Sequence, residues 1–139
     1  MPLFEKWLAE AVSSELPEPN AMCVSTCGTD MKPSARFVLL KAFDERGFVF
    51  FTNLESRKSE QLSQNANAAA TFWWAALERQ VRIEGAVEKI CEKEDDAYFQ
   101  SRPRGSQIGA WTSDQSRPID SREALEAKEA VLKEKYSDG

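Results

Sequence analysis

The stretch RFVLLKAFDERGFVFFTN, residues 36–53, holds two apolar runs rich in aromatic and β-branched residues on either side of a polar tetrapeptide. Such runs are typical of β-strands, and the tetrapeptide Asp-Glu-Arg-Gly at residues 44–47 is a hairpin signal. We therefore expect strands over residues 34–43 and 48–52, joined by a tight turn. This pair of strands indicates an antiparallel sheet as the basis of the fold.

The flanking sequence adds further strands and several helices to this hairpin. Alternation of apolar and charged residues over 80–90 predicts a half-buried strand, and apolar residues spaced three and four apart predict a helix over residues 3–12. Strands are also expected at residues 21–27 and 69–75, and helices at residues 56–65, 92–101, 121–136 and briefly after Pro103. Consecutive strands with short turns favour an antiparallel sheet or barrel. The length of 139 residues suits a single domain over residues 1–139.

Composition and charge exclude several classes of function. The net charge of −5 argues against a general nucleic-acid or membrane-surface binder. The sequence has no histidine, so an imidazole base, nucleophile or metal ligand is excluded, and the three cysteines do not fit a zinc site. We expect buried free thiols, and a cytoplasmic protein without a membrane span.

Two groups of residues could bind anions. In the first, Arg36 and Lys41 bracket a strand while Ser56, Arg57 and Lys58 begin a helix, where a hydroxyl, cations and free N–H groups suit a phosphate. In the second, Tyr98 and Arg102 are four residues apart and would share a helix face, with Ser106 following on the same side. On spacing alone, ordinary solvent-facing charges explain both groups better.

A third group is made of amides and a hydroxyl. Gln80 is expected to point away from Val81 and Ile83, and Gln115 and Ser116 lie between the last helices. A buried amide needs hydrogen-bonding partners, which a flavin ring would supply. A surface glutamine explains the same residue without any ligand.

Taken together, the motifs resemble those of the pyridoxine/pyridoxamine 5′-phosphate oxidases in order and spacing. The matching segments are residues 36–41, 47–53, 56–58, 78–85, 98–104 and 106–111. Several motifs in the correct order are more specific than any one of them. The resemblance implies a mainly β fold with flanking helices, an antiparallel FMN-binding split β-barrel, over most of the chain.

The resemblance also assigns residues to ligands. Residues expected to contact FMN are Arg36, Phe37, Val38, Leu39, Lys41, Phe51, Thr52, Arg57, Lys58, Gln80, Gln115 and Ser116, with Ser56 as a neighbour in the same motif. Residues expected to hold the substrate phosphate are Lys41, Tyr98, Arg102 and Ser106. No side chain is assigned a catalytic role and no metal is implied, because the flavin carries the redox chemistry.

The implied reaction oxidises pyridoxine 5′-phosphate or pyridoxamine 5′-phosphate to pyridoxal 5′-phosphate. A hydride passes from the C4′ carbon to the flavin, and O2 then reoxidises the flavin and gives hydrogen peroxide. Two subunits of a homodimer share each FMN site. The family continues beyond the residue matching Tyr136 into a Trp-Gly-Gly stretch and an Arg-Leu-His-Asp-Arg motif that this sequence lacks. The alternative is therefore a weakly active or inactive FMN- or vitamer-binding module.

Overall fold

The computed structural model describes residues 1–113, 116 and 118–137. The helices are α1 (Pro2–Ser13), α2 (Arg57–Gln64), α3 (Glu92–Ser101), α4 (Arg104–Thr112) and α5 (Arg122–Lys135), and a 3-10 turn covers Ala75–Leu77. The strands are β1 (Ala21–Cys27), β2 (Pro33–Leu39), β3 (Ala42–Asp44), β4 (Gly47–Val49), β5 (Asn67–Trp74) and β6 (Arg79–Ala86). No helix among the described residues is long and apolar enough to span a lipid bilayer.

Four strands form one antiparallel sheet in the order β2-β1-β5-β6, and β3 pairs with β4 in a separate hairpin. Cys23 on β1 lies opposite Phe37 on β2 and Thr71 on β5, which fixes the register across the centre of the sheet. The hairpin turn predicted at residues 44–47 is confirmed, since Asp44 pairs with Gly47. The main sheet is therefore built from strands that are distant in sequence as well as from neighbours.

One face of the sheet carries the apolar core. Alternate residues of β1 are buried, and Met22 and Val24 join Phe72 and Trp74 of β5 there. The ring of Phe4 from α1 packs against Phe72, with ring centroids 5.2 Å apart. Burying aromatic side chains of this size dominates the energetics of a small core. The pattern of residues 3–12 predicted this helix because its apolar stripe faces the sheet.

Three predicted strands are shorter than expected, and the one predicted at residues 80–90 ends at Ala86. The strand predicted at residues 34–43 is interrupted after Leu39, because Leu40 turns into the core and its N–H donates to the carbonyl of Asn20 rather than to a sheet partner. The strand predicted at residues 48–52 ends at Val49, whose carbonyl accepts from the N–H of Lys41. The break after Leu39 depends on a hydrogen bond between residues 20 positions apart in sequence, which the local apolar pattern does not encode.

The thiol prediction is partly wrong. All three cysteines are free, but Cys91 is exposed and Cys23 and Cys27 are only half-buried. The reason is positional: Cys23 and Cys27 alternate with the buried residues of β1 and so fall on the sheet face opposite the core.

The residues divide into two compact units. The sheet unit comprises Met1–Thr52 and Glu60–Val87, and the helical unit comprises Asn53–Ser59 and Glu88–Gly139. Within the helical unit, α4 packs against α5, and the side-chain amide of Gln107 donates to the carbonyls of Phe99, Gln100 and Arg102 at the end of α3. These bonds satisfy carbonyls that a helix end leaves without intrahelical partners.

Candidate functional site

The start of α2 concentrates donors and cations within the helical unit. Ser56 is fully buried and Lys58 is only 7% exposed, and the Lys58 Nζ donates to the Ser56 Oγ at 3.2 Å. The Ser59 Oγ lies 3.3 Å from the Ser56 Oγ and donates to the carbonyl of Asn53. Arg57 is exposed beside them. A helix N-terminus with two cations and two hydroxyls has the donor chemistry of a phosphate site.

In the sheet unit, Arg36 lies where the core face of the sheet turns polar. Its Nη1 donates to the carbonyl of Val24 at 3.2 Å and to the Thr26 Oγ1 at 2.7 Å. Its Nη2 donates to the Ser34 Oγ at 2.6 Å, and the Gln61 Oε1 lies 3.5 Å away. Contacts to both terminal nitrogens fix the plane of the guanidinium.

The residues that orient Arg36 were missed by the sequence reasoning. Thr26 and Gln61 are both buried, and Ser34 is half-buried between them. A signal was present in β1, where Thr26 takes the next core-facing position after Met22 and Val24. A hydroxyl at an apolar position of a strand indicates a polar partner on the same face.

Other residues assigned to the flavin lie at positions of differing exposure within the sheet unit. Phe37 is 75% exposed, whereas Val38 packs against the core from the opposite side of β2. Lys41 is exposed just after β2, and Leu39, Phe51 and Thr52 are half-buried, the last two beyond the end of β4. Alternate strand residues point to opposite faces, so Phe37 and Val38 do not present their side chains to the same side of β2.

Gln80 is exposed on β6 opposite Trp73 of β5, which is itself 62% exposed. The prediction that Gln80 points away from Val81 and Ile83 is confirmed, since both of those residues pack against the core. Gln80 and Trp73 thus share the sheet face that carries no core.

The second predicted group is brought together in part. The guanidinium of Arg102 lies over the ring of Tyr98, 6.0 Å from its centroid. Arg102 is not on the helix, however: α3 ends at Ser101, and Arg102 adopts an extended conformation before Pro103. A residue preceding proline is disfavoured in the helical region, which explains this correction. Ser106 is exposed in the first turn of α4.

The last pair of assigned residues falls in the connection between α4 and α5. Ser116 is exposed and adopts a left-handed backbone conformation with φ of 64°. Gln115 lies outside the described residues, so its predicted contact stays a prediction.

Comparison with known proteins now decides the family. Residues 8–135 match the family model described as pyridoxamine 5′-phosphate oxidase. The chain belongs to this family. A pyridoxine/pyridoxamine 5′-phosphate oxidase of Burkholderia cenocepacia (strain HI2424) is 57% identical over 97% of the chain and 63% of that protein. One of Gloeothece citriformis (strain PCC 7424) is 59% identical over 96% of the chain and 62% of that protein.

Two solved structures show how the family fold relates to this chain. PhzG from Burkholderia lata 383, in complex with tetrahydrophenazine-1-carboxylic acid, has a TM-score of 0.91 at 30% identity, covering 94% of this chain and 65% of its own. A pyridoxamine 5′-phosphate oxidase-related, FMN-binding protein from Nostoc punctiforme PCC 73102 has a TM-score of 0.70 at 19% identity, covering 87% and 69%. The predicted family and fold class, an antiparallel split β-barrel with flanking helices, are confirmed.

The chain spans somewhat less than two thirds of the length of the curated oxidases of the family that it matches. Family membership is established for residues 8–135, and the activity of the full-length oxidases is taken up for this chain as a proposal.

Proposed function

We propose that the chain is an FMN-dependent oxidoreductase that oxidises pyridoxine 5′-phosphate or pyridoxamine 5′-phosphate to pyridoxal 5′-phosphate, with O2 as acceptor and hydrogen peroxide as product. The observation that carries the proposal is the donor set at the start of α2, where Ser56, Lys58 and Ser59 lie in hydrogen-bond contact within one turn. Family membership over residues 8–135 supports the same cofactor.

Arg57, Lys58 and Ser56 would hold the FMN phosphate. Hydrogen bonds to a charged group contribute about 1.5–3 kcal/mol each, and the α2 N-terminus adds its own partial positive charge. The first-turn carboxylate Glu60 is exposed, whereas Lys58 is buried, so the buried side chains of this turn favour an anion. Bound FMN would supply the electron transfer from substrate to O2, and the protein would bind and orient it.

The remaining flavin contacts are assigned from the family motifs. They are Arg36, Phe37, Val38, Leu39, Lys41, Phe51, Thr52, Gln80, Gln115 and Ser116. Val38 packs against the core, so its contact to FMN would come from its backbone. Gln80 is exposed and retains its amide for a ligand, which supports a role in orienting a polar ring.

The substrate phosphate would be held by Lys41, Tyr98, Arg102 and Ser106. The Tyr98 ring packs beside the Arg102 guanidinium, which limits the conformations of that long side chain before any ligand arrives. A planar guanidinium with several donors matches a phosphate group well. Holding the substrate at a fixed angle is the main contribution a protein makes to such a reaction.

A homodimer is part of the proposal. Phe37 and Trp73 are large, exposed aromatic side chains on strands of the main sheet. The small residues Ala35, Ser25 and Ala69 lie side by side across β2, β1 and β5, and each alternates with the core-facing residues of its strand. A face that combines exposed aromatic side chains with small residues suits a self-complementary interface. Light scattering of the flavin-loaded protein should give twice the chain mass, and a monomeric flavoprotein would rule out sites shared between subunits.

The test of the activity uses the purified chain. We expect a flavin absorption band that survives gel filtration, and peroxide release on addition of pyridoxine 5′-phosphate or pyridoxamine 5′-phosphate. A flavin band without peroxide would support the alternative of a binding module. Absence of flavin binding at saturating FMN would contradict both the oxidase and an FMN-binding module, and of the two alternatives it would leave the vitamer-binding module.

A further inference from the structure

We propose that Gln61 is a positioning residue that orients Arg36 toward FMN. This inference rests on the proposed function, because Arg36 is one of the residues assigned to the cofactor. Gln61 is only 6% exposed and lies on α2, 25 residues from Arg36 in sequence. No contact assigned from the family motifs involves it.

Arg36 determines which atoms donate and which accept in the hydrogen bonds around Gln61. A guanidinium can only donate, so Thr26 and Ser34 accept from Arg36 and must pass their own hydroxyl hydrogens to another acceptor. The Gln61 Oε1 is that acceptor, at 2.6 Å from the Thr26 Oγ1 and 2.6 Å from the Ser34 Oγ. The same oxygen lies 3.5 Å from the Arg36 Nη2.

The other end of the Gln61 amide fixes its orientation. The Nε2 donates to the carbonyl of Lys32 at 3.3 Å, which turns the Oε1 toward the two hydroxyls. Two further amides, on the last residue of α2 and on the residue after it, hold the end of the helix in place: the Gln64 Oε1 accepts from the Thr29 N–H, and the Asn65 Nδ2 donates to the carbonyl of Cys27. Gln61 therefore presents its acceptor from a helix that is itself fastened to the end of β1.

The physical consequence concerns the rotamer of Arg36. An arginine side chain has considerable rotamer entropy, and a guanidinium held in one plane loses less of it when a ligand binds. Without the Gln61 acceptor, the two hydroxyls would turn toward other acceptors and the guanidinium would lose its fixed orientation. The protein would keep its fold while binding an anionic cofactor less tightly.

A double-mutant cycle on FMN affinity tests this role. Gln61→Met keeps the length of the side chain but removes the acceptor, and we expect about 10-fold weaker FMN binding, the loss of roughly one hydrogen bond. Arg36→Met should weaken binding by at least about 10-fold. If Gln61 acts through Arg36, the double variant binds FMN as Arg36→Met does, within about twofold, because the two losses are not additive.

A purely structural role for Gln61 predicts a different result. The two losses would then multiply in the double variant, which would overturn the inference, as would unchanged FMN affinity in Gln61→Met alone. Thermal unfolding of each variant without flavin verifies that it folds. If Gln61→Met does not fold, Ser34→Ala replaces it in the same cycle, with a smaller expected loss of about threefold and the same lack of additivity.

The wild-type titration separates this inference from the proposed function. A chain that binds no FMN would overturn both. A chain that binds FMN normally, with additive losses in the cycle, would overturn only the role of Gln61.

Discussion

The two compact units both bury polar side chains, but they differ in how much apolar surface they bury. In the sheet unit, buried Phe4, Met22, Phe72 and Trp74 belong to a single apolar cluster. Among the described residues of the helical unit, Ile108 is the one buried hydrophobic side chain, and it is accompanied by buried Ser56, Lys58 and Thr112. Neither α3 nor α5 contains a buried residue.

This difference separates stability from ligand binding. Apolar burial is the main source of folding free energy, so substitutions in the apolar cluster of the sheet unit should act first on stability. In the helical unit the Thr112 Oγ1 donates to the Ile108 carbonyl within α4, whereas the buried Lys58 carries a positive charge at the start of α2, which is where we expect an anionic ligand. The following substitutions test that division, in order of decreasing effect.

The largest effect should come from the core of the sheet unit. Phe72→Ala removes a ring that is fully buried and in contact with Phe4 and Trp74, and it should cost about 3–5 kcal/mol of unfolding free energy. The matched change in the helical unit, Phe99→Ala, removes a half-buried ring and should cost less than half as much. Chemical denaturation measures both, and equal losses would contradict the comparison.

A smaller effect, and one on binding rather than stability, is expected at the start of α2. Lys58→Met keeps the stem of the side chain and removes its charge, so FMN affinity should fall by about 10- to 100-fold, the value of one charge-assisted hydrogen bond. Arg57→Ala should act in the same direction. Isothermal titration calorimetry measures the loss, with Lys133→Ala on exposed α5 as a cation control that should bind FMN normally. Normal affinity in both α2 variants would show that the phosphate lies elsewhere.

Arg102 should affect the substrate and not the cofactor. Arg102→Leu removes the guanidinium beside Tyr98 and should weaken binding of pyridoxal 5′-phosphate by about 10-fold while FMN stays bound. Fluorescence titration with each ligand distinguishes the two. Loss of FMN with intact vitamer affinity would reverse the assignment.

The N-cap of α5 should contribute about 1 kcal/mol to its helix. The Ser121 Oγ accepts from the N–H of Ala124 at 3.1 Å, and Ser121→Ala leaves that donor without the cap. We expect faster amide exchange over Arg122–Lys135 in Ser121→Ala, and exchange close to wild type in Ser121→Asp, which restores an acceptor. Identical exchange in all three proteins would show that the cap has no effect.

The smallest effect concerns the exposed hairpin turn. The Arg46 guanidinium hydrogen-bonds to Asp44 and, together with the Arg46 N–H, holds the pKa of this carboxyl below its ordinary value. Because the folded pKa is lower than the unfolded one, the stabilisation is present near neutral pH and is lost as the pH falls below about 4. The melting temperatures of wild type and Asp44→Asn should therefore differ slightly at pH 7 and converge in acid. A constant difference across this range would contradict the assignment.

Local pattern predicted much of the fold but not the network around Arg36. The limits of β1 and α3 agree with the predicted ranges, since a clear run or turn signal lies at each end. The break at Leu40 was not predicted, because it depends on a bond to Asn20, which is 20 residues away in sequence. Gln61 was not singled out for the same reason: its partner Thr26 is 35 residues away, and nothing in the helix itself indicates that pairing.

The central claim is that the start of α2 binds the phosphate of FMN, and one comparison of ligands tests it. Riboflavin carries the same ring system without the phosphate, so the ring contacts are common to both ligands. Calorimetric titration of the unchanged chain should give at least about 100-fold tighter binding of FMN than of riboflavin, as two charge-assisted hydrogen bonds would produce. Equal affinities for the two ligands would contradict a phosphate site at α2.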